Sequence, residues 1–218
     1  MKVIAANLLL ALLVGASVTV VWIMRDAGET APCPHNGGVI FVDCVNPQWR
    51  AISSWETRYD NSSQHINTSG NNQDLVRWEV IETRDPSRGA VIDVRYSDVP
   101  ANGRLRFHTA RLGDSADMSA YAGGSVQFDI RMLDWGRPRP GMVVNFSCQQ
   151  PCTTGVVPLT LQPGKRWQKQ RIAVDHLVGL GLDLTHVDIG LAISPLWNSM
   201  HGAHFQLDNI RWVKEGED

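Results

Sequence analysis

Trp135, in Leu-Asp-Trp-Gly-Arg-Pro, and Trp197, in Ser-Pro-Leu-Trp-Asn-Ser-Met-His-Gly, fall in turn-rich stretches where an indole has no strand-packing duty. An indole held open on a loop can lie against the apolar C–H face of a pyranose ring. Amide, carboxylate and guanidinium groups nearby can hydrogen-bond the hydroxyls. Asn198 and His201 stand close to Trp197 and supply such polar partners. Trp197, Asn198, His201 and Trp135 are therefore the candidate ligand-binding residues. The alternative for each indole is to fold back over the end of the core, whereas Trp78, Trp167 and Trp212 read as core or strand-packing from their strand-like contexts. A second candidate is the polar set Arg95, Arg106, His108, Gln127, Asp129, Arg131 and Asn145, which takes the open parity of its strands. A solvated sheet face explains that set equally well.

Other chemistries find less support. A glycosidase needs two carboxyl groups facing one bond at about 5–9.5 Å. Glu79 and Glu82 are three apart in a strand-like segment and point to opposite faces. Asp93 and Asp129 can pair only if their strands are neighbours. There is no G-x-S-x-G, no phosphate-binding loop and no G-x-G-x-x-G. His201 and His204, the only closely spaced histidines, read as a loop and strand-end feature. A net charge of −2 without a basic block excludes a nucleic-acid partner, because phosphate binding needs concentrated positive charge.

The elements that must position these residues are strands. Apolar residues alternate in Ile92, Val94, Tyr96; in Leu105, Phe107; in Val126, Phe128, Ile130, Met132; and in Met142, Val144, Phe146. Period two means one buried and one open face. The intervals hold Asp-Pro-Ser-Arg-Gly, Pro-Ala-Asn-Gly and Gln-Pro-Gly, all turn material. No stretch carries a long 3.6-residue stripe, and His176–His186 has room for one helical turn. The pattern predicts an all-β jelly-roll sandwich over residues 39–214, with Phe128, Ile130, Val144, Phe146, Phe205 and Leu207 between its sheets.

In the last strand Phe205 and Leu207 share one parity, and Ile210 and Trp212 the other. One extra residue at Asp208-Asn209, a β-bulge, puts all four on one face. Such a bulge can aim Asp208 at a cation, in which case an oxygen-rich calcium site is the natural choice, or simply cap a local turn. No cofactor is otherwise required.

Lys2 precedes an apolar run from Val3 to Met24, 22 residues, ended by Arg25 and Asp26. That length suits a membrane-spanning signal-anchor helix, or a signal peptide if the chain is cut after Gly15-Ala16-Ser17. Residues 1–24 are thus expected to be the anchor or leader, 25–38 a Pro- and Gly-rich linker, and 215–218 a tail. The expected location is the inner membrane facing the periplasm, or secretion if the leader is removed. The cysteines agree with export. Cys33, Cys44, Cys148 and Cys152 form an even set outside the apolar run, and of three connectivities, proximity favours Cys33–Cys44 and Cys148–Cys152. The spacing of Cys148 and Cys152 would also suit zinc, but Cys33 and Cys44 make no matching knuckle.

Several segments taken in order carry a resemblance: WEVIETRDPSRGAVIDVRYS (78–97), DMSAYAGG (117–124), GGSVQFDIRMLDWG (123–136), FSCQQPC (146–152), KRWQKQRIAV (165–174), LDLTHVDIGLAI (182–193) and FQLDNIRW (205–212). Over roughly residues 45–214 the chain resembles the galactose-binding-like module of the ExoP type, found at the C-terminus of family 3 exo-acting β-glucanases. The catalytic residues of those enzymes have no counterpart here. The resemblance implies a galactose-binding-like fold and binding of β-glucan-like polysaccharide without catalysis. Two other readings stand beside it: a small glycoside hydrolase acting on glucans, and an exported protein-interaction subunit.

Overall fold

A computed structural model describes residues 33, 36–57, 60–67, 75–98, 101–111, 113–138, 141–197 and 200–217. The anchor or leader expected at 1–24 lies outside them, as does most of the expected linker. Among the described residues, no helix is long and apolar enough to cross a membrane.

Among the described residues, thirteen strands form two antiparallel sheets: β1 Val39–Val42, β2 Cys44–Val45, β3 Trp49–Thr57, β4 Asp60–Asn67, β5 Val76–Glu82, β6 Ala90–Tyr96, β7 Ala101–Thr109, β8 Ser125–Asp134, β9 Met142–Cys148, β10 Val157–Pro158, β11 Gln168–Ala173, β12 Val187–Pro195 and β13 His204–Val213. A seven-stranded sheet runs β11-β8-β13-β1-β2, with β6 also on β13 and β5 on β6. A six-stranded sheet runs β10-β9-β12-β7-β3-β4. The expected helical turn falls within 174–186, as the short helix α1 (Val174–Gly179) and a 3-10 turn at Leu184–His186.

Alternation places the core as expected. Phe128, Ile130, Val144, Phe146, Phe205 and Leu207 are all buried in one cluster fed by both sheets. Trp212 joins the layers: its ring meets Phe146 edge-on at 6.0 Å, and its Nε1 donates to the carbonyl of Gly190 at 3.0 Å. Gly190 is glycine for a packing reason, since a Cβ there would collide with the ring of Trp49.

The bulge in β13 is present and has an architectural role. Register against β8 shifts between Asp208 and Arg211, and Asn209 takes a left-handed φ of 52°, which Asn tolerates better than most residues. Residues 204–207 pair with β6, and beyond the bulge Ile210 and Arg211 pair with β1. The extra residue sits where the strand exchanges partners. It also returns Ile210 and Trp212 to the core beside Phe205 and Leu207.

Both favoured disulfides are present, Cys33–Cys44 with Cα atoms 5.9 Å apart and Cys148–Cys152 at 5.0 Å. They leave no cysteine pair for the zinc alternative.

Candidate binding surfaces

The loop after β8 and the loop after β12 are tied together at one end of the sandwich. The Arg137 N–H donates to the His201 carbonyl at 3.1 Å, and the Leu196 N–H donates to the Gly141 carbonyl at 3.1 Å. The 97–98 turn joins them: Gly202 N–H donates to Ser97 O at 3.1 Å, and His201 Nδ1 lies 2.9 Å from Asp98 O. Trp135 packs partly against the core and lines an apolar cleft of about 640 Å³ with Gly136, Gly141, Leu159, Leu161 and Pro163. Trp197, next to Leu196, is 52% exposed. The fold therefore brings Trp135, Trp197 and His201 onto two paired loops. Asn198 lies outside the described residues.

The polar set expected on one face is divided between two. Arg95, Gln127, Asp129 and Arg131 belong to the seven-stranded sheet, while Arg106, His108 and Asn145 belong to the six-stranded one. Topology makes this division, because β6 and β8 flank β13 whereas β7 and β9 flank β12.

On the seven-stranded sheet the polar groups saturate one another. Asp93, 1% exposed, accepts from Arg95 Nε at 2.6 Å and Gln206 Nε2 at 2.6 Å, and lies 2.8 Å from His204 Nε2. Burial pushes this carboxyl up, but the hydrogen bonds from His204, Arg95 and Gln206 together outweigh it and hold it down at about 2. Gln206 Oε1 in turn accepts from Arg131. Asp93 and Asp129 do not face one another as neighbours, because β13 runs between β6 and β8.

Asp208, the calcium candidate, holds a guanidinium instead. Arg88 Nη1 donates to Asp208 Oδ2 at 2.8 Å and to Asp129 Oδ2 at 2.9 Å, while Asn209 Nδ2 donates to Asp129 at 3.0 Å. Among the described residues no cluster of three or more His, Cys, Asp or Glu side chains could hold a metal. Trp167 is not core either. It lies between Arg88 and Arg131, whose guanidinium carbons are 4.2 and 4.9 Å from its ring centre, each a cation–π contact. Arg88 comes from the turn before β6, and no periodicity in the sequence marks it as the hub of this network.

On the six-stranded sheet the polar groups are less satisfied. Arg104, Arg106 and His108 take successive outward positions of β7, opposite the buried Leu105 and Phe107. Arg104 Nη1 donates to Asn145 Oδ1 at 3.3 Å, and Ser147 Oγ donates to Asp188 Oδ1 at 2.8 Å. Among the described residues, Arg106 Nε and His108 Nδ1 are buried without a hydrogen-bond partner. Burial lowers the pKa of both groups. The charge of Arg104 lowers Arg106 further and that of Arg106 lowers His108, against the opposing pull of Asp188. The sequence does contain the signal for this row, three basic side chains at period two, although Arg104 and Asp188 were not among the candidates.

No family model matches the chain, and no curated protein matches it. Solved structures do resemble it. The exo-1,3/1,4-β-glucanase ExoP from a Pseudoalteromonas species superposes with a TM-score of 0.56 at 10% identity, over 83% of this chain and 21% of that one. The family 30 carbohydrate-binding module of a Clostridium thermocellum cellulosomal cellulase superposes with a TM-score of 0.54 at 16% identity, over 82% of this chain and 97% of that one. This chain thus spans about a fifth of the glucanase and nearly all of the module. The fold is a two-sheet antiparallel β-sandwich, shared with that module and with part of that glucanase.

Proposed function

We propose that the chain is a non-catalytic carbohydrate-binding module that holds a β-glucan-like polysaccharide on the loop end carrying Trp135 and Trp197. The observation that carries this reading is the exposed Trp197 indole on a loop hydrogen-bonded to the one that lines the apolar Trp135 cleft. Stacking on an indole removes apolar C–H surface from water. Each hydrogen bond to a sugar hydroxyl replaces one to water and yields little net energy. Asn198 and His201 orient the ring. The likeness in fold to a carbohydrate-binding module and to part of a β-glucanase supports the ligand class. The proposed location is outside the cytoplasm, anchored by residues 1–24 or released after their removal. The two disulfides support this, since such bonds persist in oxidising compartments.

Calorimetry of the full chain with laminarin and a mixed-linkage glucan tests the proposal. Saturable binding without release of reducing sugar is the expected result. Reducing-sugar release would favour a hydrolase instead, and absence of binding to any glycan an interaction subunit.

A further inference from the structure

We propose that the outer face of the six-stranded sheet is a second binding site, built to take the carboxylate or sulfate of an acidic polysaccharide on Arg104, Arg106 and His108. The inference rests on the reading of the chain as carbohydrate-binding, but it concerns a different surface and a different class of glycan.

The geometry is that of a prepared anion platform. Side chains two apart on a strand repeat at about 7 Å on one face, so β7 presents its three basic groups as a row. Among the described residues neither Arg104 nor Arg106 has an ion-pair partner, and Arg106 Nε and His108 Nδ1 are buried with their hydrogen-bonding capacity unused. Arg104 and Arg106 are both half-buried rather than enclosed, so an oxyanion can meet their guanidiniums from the open side of the strand. Because the guanidinium is already partly desolvated and held against its neighbours, less is lost when the ligand arrives.

The floor supports the same reading. Across the sheet Asn145, Ala192, Arg106 and Ile52 stand in register. Ala192 and Ile52 flank Arg106 in that row and are buried, so they support its side chain from either side. Arg104 and Arg106 are like charges on adjacent outward positions, and the charge of Arg104 disfavours that of Arg106. Asp188 is the acid that acts on Arg106 and His108, and its Oδ1 is engaged by Ser147. An anion placed between the guanidiniums relieves this repulsion. Asn145, Ser147 and Ser194 provide neutral partners for hydroxyl groups on the same face, as a sugar needs. A nucleic-acid strand would instead require stacking rings and a wider basic field.

Titration calorimetry of the full chain with trigalacturonate, a sulfated carrageenan oligosaccharide and laminarihexaose tests this, the first two separating carboxylate from sulfate as the anion. Wild type is expected to bind one acidic oligosaccharide, more weakly as salt rises. Arg106→Gln should weaken that binding about tenfold or more. Asp188→Asn keeps an acceptor for Ser147 and removes the opposing charge, so it should tighten the binding, an effect that misfolding cannot imitate. Both variants should bind laminarihexaose as wild type does. The proposal is overturned if no acidic oligosaccharide binds, if both variants leave acidic binding unchanged, or if Arg106→Gln abolishes laminarihexaose binding too, which would make the two surfaces one. Laminarihexaose binding in the same samples shows separately whether the loop-end reading stands.

Discussion

The backbone N–H of Arg137 donates to the carbonyl of His201 at 3.1 Å, joining two loops that arise from different strands. Trp135 lies two residues before Arg137 and Trp197 four before His201, so this bond helps hold an exposed indole and an apolar cleft at one end of the sandwich. What that arrangement binds, and what stabilises the sheets behind it, can each be measured.

Trp197→Ala should weaken glucan binding by about 1–3 kcal/mol, roughly a 5–150-fold loss. Its side chain is exposed, so the melting temperature should stay close to that of wild type. Trp135→Ala should weaken binding and also lower stability, because that indole packs partly against the core. Asn198→Ala should cost less and relax the choice of sugar. Calorimetry paired with thermal melts separates these effects, and unchanged binding in both tryptophan variants would move the site elsewhere.

Arg88→Ala should destabilise the fold by about 3 kcal/mol, since it leaves Asp208 buried beside Asp129 with no cation between them. The sign with pH is definite. Without Arg88, burial and the neighbouring carboxylate favour the protonated form of Asp208, so the gap between variant and wild type should narrow as pH falls. Urea unfolding at neutral and mildly acidic pH reads that gap, and a deficit that does not change with pH would argue against the Arg88 bridge.

Asp93 has a folded pKa of about 2 against an ordinary 3.8. A depressed carboxylate stabilises the fold above its unfolded pKa, and that contribution is lost as pH falls through the folded value. The shift corresponds to about 2 kcal/mol, present at neutral pH and lost from about pH 4 downwards. Thermal melts of wild type and Asp93→Asn across this window should converge at the acid end. Parallel curves would show that the bonds from His204, Arg95 and Gln206 do not depend on the charge.

Mass spectrometry of the chain purified without reductant should find no free thiol. The loop closed by Cys33–Cys44 spans more residues than that closed by Cys148–Cys152, with separations of 11 and 4. The loop-entropy relation gives about 3 kcal/mol for the first and about 2 for the second. Selective reduction followed by melting checks the order. Two free thiols at 148 and 152 would contradict both the pairing and the oxidising compartment.

Local periodicity by itself determined the sandwich. Alternation in 126–132 and 142–146 places Phe128, Ile130, Val144 and Phe146 inside, and the parity break between Leu207 and Ile210 requires an extra residue at Asp208-Asn209. These are legible because a strand's face is set by its own period of two. Which outward faces coincide is a property of sheet order, which no single strand encodes. Hence Asp129 and Asn145, alike in sequence as open-face polar residues, stand on different sheets. Likewise Asp208 meets a guanidinium 120 residues away, Trp167 contacts two arginines, and the Trp135 and Trp197 loops are brought together. Each of these depends on long-range pairing, and only tertiary structure decides where distant charges and rings meet.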